Sequence, residues 1–242
     1  RGDVRSLPDH AAIQLNDTHP CIAIVELMRI LVDTHELPWE EAWDIVQRTF
    51  SYTNHTLLPE ALESWPIPLM ERLLPRHVQI IYLINALHLD AARRVNPDGS
   101  FLSSVSVIDE QAGRRVRMGH LAFMASHHVN GVSALHTDLM KKTVFRDFHT
   151  LWPGKIVNKT NGVTFRRWLY QANPGLTKLL VEAIGPKVLD HPELLTELSQ
   201  FSGDAAFQEK FAAVKRANKV ALGKIIREQL GVAVDPDALF DI

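Results

Sequence analysis

The sequence is poor in cysteine and has no long apolar runs. Cys21 is the only cysteine among 242 residues, so no disulfide can form within the chain. A lone cysteine is compatible with a reducing compartment. No stretch approaches the roughly 20 consecutive apolar residues of a membrane-spanning helix, and no secretory signal is recognisable. We therefore expect a cytoplasmic chain with no membrane partner.

The chain also lacks an excess of charge of either sign. Its 26 basic and 28 acidic residues leave a formal net charge of -2. The densest basic run, Arg114–Arg117, is expected to form a solvated strand face in a hairpin. This balance gives no electrostatic reason for a nucleic acid partner. The hydrophobic fraction of 46% and the charged fraction of 22% are those of an ordinary globular protein.

Several catalytic motifs are missing. There is no Gly-x-Gly-x-x-Gly or Walker loop to cradle a nucleotide phosphate, and no Gly-x-Ser-x-Gly elbow. Ser126 and His127 are neighbours but have no evident third partner for nucleophilic hydrolysis. A glycosidase-like carboxylate pair, for instance Asp17 with Glu60, stays possible, since the separation of the two groups decides it.

Metal binding is a further alternative. Asp17, His19, His55 and the pair His127-His128 carry oxygen and nitrogen atoms that can bind metals. However, the chain has neither His-Glu-x-x-His nor Cys-x-x-Cys, and adjacent histidines in a strand point to opposite faces. We therefore expect no metal site.

Hydrophobic periodicity predicts an α/β fold that is predominantly helical. A last, long helix is delimited by Asp204 as N-cap and Gly231 as a left-handed C-terminal residue. Its apolar stripe is expected to belong to the core. The other predicted elements are helices over 22–35, 38–49, 75–94 (well buried), 121–126, 133–142, 168–185 and 192–201, strands near 12–16, 51–54 and 155–159, and a hairpin of 104–108 with 114–118.

Four polar clusters end or follow apolar segments. They are Asn16–His19, Thr53–Thr56, Asn130-Gly131 and Thr160–Gly162. Open α/β sheets bind ligands at the carboxyl ends of their strands. Asn, Asp, Thr and His offer directional donors and acceptors, which suit a polyhydroxylated ligand. Each cluster alone would also fit an ordinary turn, but together they favour a binding site.

The two ends of the chain lead us to expect a fragment of a longer protein. The sequence begins at Arg1 rather than Met and stops at Leu239–Ile242, which has the pattern of an opening strand.

In this order, the clusters resemble those of the α-glucan phosphorylases, the family of glycogen, starch and maltodextrin phosphorylases. The resemblance extends from about residue 12 to residue 242. The segments that carry it are Gln14–Pro20, Tyr52–Thr56, Pro59–Glu63, Leu74–Ile81, Val129–Val132, Thr160–Thr164 and Arg166–Leu169.

The resemblance implies part of a two-domain, Rossmann-like fold of the GT-B type. Residues 1–162 would be the later part of an N-terminal glucan-binding domain, and residues 163–242 the truncated start of a C-terminal cofactor-binding domain. The implied reaction is transfer of a non-reducing-end glucosyl unit of an α-1,4-glucan to phosphate, which gives glucose 1-phosphate. The full-length protein is expected to be a homodimer.

The resemblance also implies roles for individual residues. His55 would place its backbone carbonyl near the reacting glucosyl unit, where a carbonyl dipole stabilises developing positive charge. Asn161 would hydrogen-bond the glucose 6-hydroxyl. Asp17 and His19 would lie near the glucan and glucose subsites, with Glu60 on the adjoining wall.

Pyridoxal phosphate is the implied cofactor of the full-length protein. Val132 and Trp168 would pack around the cofactor and the glucosyl pocket. The lysine that forms the Schiff base, the substrate-phosphate residues and a glycine-rich loop are expected outside this chain, so we expect the chain alone to be inactive. The alternative from another class is a non-catalytic carbohydrate-binding or scaffolding module.

Overall fold

The computed structural model describes residues 3–111 and 113–240. The chain divides into two compact units, Arg1–Asn161 and Gly162–Ile242. The division falls one residue before the predicted boundary at 162/163. None of the described helices is long and apolar enough to cross a membrane.

The first unit is built on a four-stranded parallel sheet and confirms the α/β prediction. Its strands in chain order are β1 (Ile13–Asn16), β2 (Phe50–Thr53), β3 (Ser64–Pro66), β4 (Ile108–Asp109), β5 (Arg115–Arg117), β6 (Ser126–Gly131) and β7 (Ile156–Asn158). The parallel sheet has the order β1-β2-β6-β7, whereas β3, β5 and β4 form a small antiparallel sheet.

Nine α-helices surround these sheets in the described part of the first unit. They are α1 (Leu7–His10), α2 (Ile22–Arg29), α3 (Trp39–Thr49), α4 (Ile67–Leu73), α5 (Pro75–Val95), α6 (Gly99–Val105), α7 (Met118–Ala125), α8 (Ala134–Lys142) and α9 (Arg146–Leu151). A π-helical segment, Ile30–Thr34, continues α2, and short 3-10 turns cover Val4–Ser6 and Pro59–Ala61.

Helix signals in the sequence are confirmed where capping and periodicity agree. Helix α3 follows Pro38 and carries Glu40 and Glu41 in its first turn, where negative charges interact favourably with the helix dipole. Helix α5 begins at Pro75 as predicted. Its burial is less complete than predicted, because Leu87 is 47% exposed although Ile84 is buried.

The predicted hairpin is confirmed only in part. Strand β4 pairs antiparallel with β5 but covers Ile108–Asp109 alone, and Val105 ends helix α6 instead of lying in a strand. Asp98 caps this helix by accepting a hydrogen bond from the Phe101 amide at 3.0 Å. Phe101 and Val105 are both buried and lie four residues apart, which is a helical spacing. The alternation of polar and apolar residues over 104–108 instead favours a strand.

The second unit contains two α-helices in its described part, α10 (Pro174–Ile184) and α11 (Ala205–Leu230). The predicted helix over 168–185 is interrupted, because a π-helical segment ends at Gln171 and Asn173 caps a new helix through the Leu176 amide at 3.2 Å. The predicted helix over 192–201 is a 3-10 helix.

Helix α11 confirms its caps but not its core stripe. The Asp204 carboxylate accepts from the Ala206 and Phe207 amides, and Gly231 has φ +70°. No residue of α11 is buried, and Ile225 is 48% exposed. With 26 residues α11 is about 39 Å long, whereas its neighbour α10, at 11 residues, can cover less than half of it.

The predicted strand at the end of the sequence is not present where the structure can test it. Leu239 and Phe240 have no strand structure, and Leu239 is 93% exposed. Asp241 and Ile242 lie outside the described residues.

Candidate functional site

The polar clusters of the sequence lie along one edge of the parallel sheet. Asn16 ends β1 and pairs in register with Thr53, which ends β2. Thr53 in turn pairs with Asn130, and Gly131 pairs with Asn158 at the end of β7. Because all four strands are parallel, their carboxyl ends form a single polar edge.

A chain of side-chain hydrogen bonds runs across this edge. The Ser51 hydroxyl donates to Gln14 Oε1, and Gln14 Nε2 donates to Thr53 Oγ1, both at 2.8 Å. Thr53 Oγ1 donates to Asn130 Oδ1 at 2.8 Å, and Asn130 Nδ2 reaches the Gly131 carbonyl at 3.0 Å. Gln14, Thr53 and Asn130 each donate one of these bonds and accept another, so three strands are held in a fixed relation.

His55 follows β2 and projects at this edge. Its Nε2 donates to Asn16 Oδ1 at 2.7 Å, and the side chain is exposed. Among the described residues, no donor hydrogen-bonds the His55 backbone carbonyl. A backbone acceptor is therefore available beside a fixed side chain.

Asn54 secures the peptide that precedes His55, although the sequence did not single it out. Its side chain is fully buried, with Nδ2 donating to Tyr52 Oη at 3.1 Å and Oδ1 accepting from His136 Nε2 at 2.9 Å. The Asn54 amide also donates to the Asn130 carbonyl at 3.0 Å. Desolvation lowers the pKa of His136 and raises that of Tyr52. Both rings are therefore kept neutral at neutral pH.

Gly131 allows helix α8 to approach this edge closely. A Cβ at this position would lie 2.3 Å from Thr137 Oγ1 and 2.8 Å from Thr137 Cα. Only glycine leaves room for that contact. Ser133 then caps α8 by accepting from the His136 amide at 3.1 Å, which brings His136 to Asn54.

After β1, the chain turns sharply through Asp17, which has φ +65° and accepts from the Thr18 amide at 2.6 Å. The Asp17 amide donates to the Thr53 carbonyl at 3.0 Å, which ties this turn to β2. The buried Thr18 hydroxyl donates to Glu63 Oε2 at 2.5 Å, and Trp65 Nε1 donates to Glu63 Oε1 at 2.7 Å.

A cavity of about 240 Å³ opens beside this turn. His19 lies at it together with Glu63 and Trp65, and apolar residues of α4 complete the wall. Sequence reasoning missed Glu63 and Trp65 as site residues, because no motif marks them apart from the Pro59–Glu63 segment that carries the resemblance.

The remaining predicted residues are distributed over both units. Glu60 is exposed in a 3-10 turn, and Val132 is half-buried with its carbonyl accepting from the Asn161 amide at 2.9 Å. This bond holds Asn161 next to the end of β6. Trp168 belongs to the second unit, where it is 64% exposed.

The described residues contain no group of three or more His, Cys, Asp or Glu side chains arranged to hold a metal ion. The candidate ligands His127 and His128 are both exposed near the start of β6, away from Asp17 and His55 at the carboxyl ends of the strands.

A family model for carbohydrate phosphorylases matches residues 1–242. The chain belongs to the carbohydrate phosphorylase family. It is 50% identical to the liver form of glycogen phosphorylase from Bos taurus over 238 residues, which is 98% of this chain and 28% of that protein.

Similarity extends to glycogen phosphorylases from distant organisms. The chain is 48% identical to glycogen phosphorylase from Synechocystis sp. over 235 residues, covering 97% of this chain and 28% of that protein. It is 47% identical to the human muscle form over 243 residues, covering 100% of this chain and 29% of that protein. The chain therefore spans less than a third of the length of the curated relatives it matches.

Proposed function

We propose that this chain is the sugar-binding part of an α-1,4-glucan phosphorylase. The full-length protein would transfer a non-reducing-end glucosyl unit to phosphate and release glucose 1-phosphate. The observation that carries this proposal is the polar edge of the parallel sheet, in a chain that belongs to the carbohydrate phosphorylases. The hydroxyl-rich surface of a sugar needs many directional donors and acceptors, and this edge is rich in them.

In this proposal, His55 acts through its backbone carbonyl. Positive charge develops at the anomeric carbon as the glycosidic bond breaks, and an oriented carbonyl dipole stabilises it. The carbonyl has no internal donor among the described residues, and the neighbouring Asn54 and the His55–Asn16 bond hold the peptide in place. Orientation before reaction avoids a cost of rearrangement in the transition state.

Asn161 would bind the glucose 6-hydroxyl with its exposed side chain, while its amide is bonded to the Val132 carbonyl. Asp17 and His19 would contact the glucan and glucose subsites, and Glu60 would lie on the adjoining wall. These residues position the sugar, and the catalytic contact is assigned to His55 alone.

In this proposal, Val132 and Trp168 make supporting contacts with pyridoxal phosphate, and the covalent contact lies outside this chain. Val132 and Trp168 keep apolar surface accessible, with Trp168 64% exposed, and such surface packs well against a planar ring. When bound, the cofactor supplies a phosphate that exchanges a proton with the substrate phosphate. An apolar wall beside these phosphates excludes water and favours transfer to phosphate over hydrolysis. The lysine that holds the cofactor belongs to the rest of the protein.

The wider organisation is part of the same proposal. The first unit would be the later part of a glucan-binding domain and the second the start of a cofactor-binding domain, together within a GT-B type fold. The full-length protein would act in the cytoplasm as a homodimer.

The test uses the full-length protein, assayed for glucose 1-phosphate release from a maltooligosaccharide and phosphate. Asn161→Ala should lower kcat/KM about tenfold or more, since it removes a hydrogen bond to the reacting sugar. Asn218→Ala is the matched control, because Asn218 is an exposed asparagine on α11 and should leave the rate unchanged.

The same assay decides between the proposal and its alternative. Release of glucose 1-phosphate that depends on phosphate and on Asn161 supports the phosphorylase. A full-length protein that binds maltooligosaccharides and releases no glucose 1-phosphate would instead be a carbohydrate-binding module.

A further inference from the structure

A second cavity lies at the opposite edge of the parallel sheet from the proposed sugar site. It has a volume of about 530 Å³ and is bounded by Ser126 at the start of β6 and by Lys155, which directly precedes β7. Because the strands are parallel, this edge holds their amino ends. Nothing in the proposed phosphorolysis uses these residues.

Lys155 provides a cation with no carboxylate partner. Its Nζ lies 4.7 Å from the ring centre of Trp152 and 5.4 Å from that of Phe123, and it donates to the Met124 carbonyl at 3.1 Å. No Asp or Glu in the described ranges forms an ion pair with it. Burial lowers the pKa of Lys155 to about 8, which still leaves the amine mainly protonated at pH 7.

Two further side chains with donor groups, Gln47 and Ser126, line the same cavity. Gln47 Nε2 donates to the Met124 carbonyl at 3.0 Å, so it shares an acceptor with Lys155 and lies next to it. The Ser126 side chain is fully buried and lines the cavity, yet none of the described residues hydrogen-bonds its hydroxyl. Buried hydroxyls without a hydrogen-bond partner are rare in proteins, so a bound ligand is a reasonable partner for this one.

Of the described lysine and arginine side chains that line the cavity, Lys155 is the one without a carboxylate partner. Arg48 and Asp44, which also line it, form an ion pair at 3.2 Å, and Arg48 also pairs with Asp9 at 3.3 Å. Lys155 is therefore the lining group placed to bind an anion. The indole of Trp152 gives the cavity an apolar wall beside this charge.

We propose that this cavity binds a small organic monocarboxylate. The carboxylate accepts hydrogen bonds from Lys155 Nζ and the Ser126 hydroxyl, and the apolar body of the ligand packs on Trp152. A carboxylate matches the single positive charge of Lys155, whereas a phosphate monoester carries nearly two negative charges at neutral pH. The site is separate from the sugar site and is independent of the reaction carried out there.

The test measures benzoate binding to the full-length protein at pH 7 by isothermal titration calorimetry. Lys155→Met should weaken binding about tenfold or more, because it removes a charge-assisted hydrogen bond while keeping the length of the side chain. Ser126→Ala should weaken binding about threefold or more and serves as a second variant, since it breaks no internal hydrogen bond and the protein should fold normally. Lys210→Met, at an exposed lysine of α11, is the control and should bind as the wild type does.

Neutral benzamide should not bind, and phenyl phosphate should bind no more tightly than benzoate. Crystals soaked in 4-bromobenzoate should give an anomalous bromine peak within this cavity. The proposal is overturned if benzoate fails to saturate the protein, if Lys155→Met binds as the wild type does, or if benzamide or phenyl phosphate binds more tightly than benzoate.

Discussion

Replacing Asn54 by alanine should loosen the strand ends that hold the His55 peptide. The substitution removes both hydrogen bonds of a fully buried side chain, one from Asn54 Nδ2 to Tyr52 Oη and one from His136 Nε2 to Asn54 Oδ1. Tyr52 is also fully buried, so its hydroxyl is left without this partner. His136 is only half-buried, and water can replace the lost contact.

The size of the effect follows from the buried hydroxyl. An unsatisfied buried polar group costs about 1–3 kcal/mol, whereas the half-buried imidazole adds little. At 1.4 kcal/mol for each factor of ten, a loss of this size makes local opening of the strand ends about 5- to 150-fold more frequent. Amide exchange that depends on this opening should become faster by the same factor. The His55 carbonyl would also lose its fixed orientation, so the rate of glucose 1-phosphate release should fall.

Hydrogen–deuterium exchange of the full-length protein, read by mass spectrometry in peptides covering residues 50–56, measures the first effect. Asn218→Ala is again the control, because its single side-chain bond, to Asn173 at 3.1 Å, is exposed. If Asn54→Ala exchanges and turns over like the wild type, Asn54 does not hold this peptide and the reasoning is refuted.

Two other substitutions test the packing and the titration of the first unit. Gly131→Ala places a Cβ 2.8 Å from Thr137 Cα and should destabilise the protein by about 1–3 kcal/mol. Gly154→Ala is the control, because its added Cβ has no atom within 4 Å and should not destabilise the protein. Equal thermal stability of the two variants would contradict this account. Burial lowers the pKa of His120 to about 4 from 6.5, so the folded state binds fewer protons, and stability present above pH 6.5 is lost as pH falls towards 4. His120 Nδ1 donates to the Ser106 carbonyl at 2.8 Å, and the asparagine of His120→Asn can keep this bond. The urea midpoint of unfolding should then vary less with pH between 6.5 and 4. If its pH dependence is unchanged, His120 is not the source of that dependence.

Local patterns predicted the elements that carry their own signals. Capping residues defined α11 at Asp204 and Gly231, and apolar segments followed by polar clusters located the ends of β1, β2 and β7. Helix α9 was missed because six residues give too short a pattern. Its burial depends on Phe148, which packs on Phe123 with ring centres 4.8 Å apart.

The hydrogen-bond network of the site could not be predicted in the same way. Asn54 and His136 are 82 residues apart in sequence, and Thr18 and Glu63 are 45 apart. Their pairing depends on the order of strands in the sheet and on the close approach of α8 at Gly131. The sequence indicates which residues can bind a sugar, but only the fold decides which of them support one another.

The most direct test of the central claim is a structure of the full-length protein bound to a maltooligosaccharide. We predict a terminal glucosyl ring at the carboxyl edge of the parallel sheet, with its anomeric carbon facing the His55 carbonyl and its 6-hydroxyl bonded to the Asn161 side chain. A glucosyl ring bound elsewhere, with no contact to His55 or Asn161, would contradict the assignment of this edge as the sugar site.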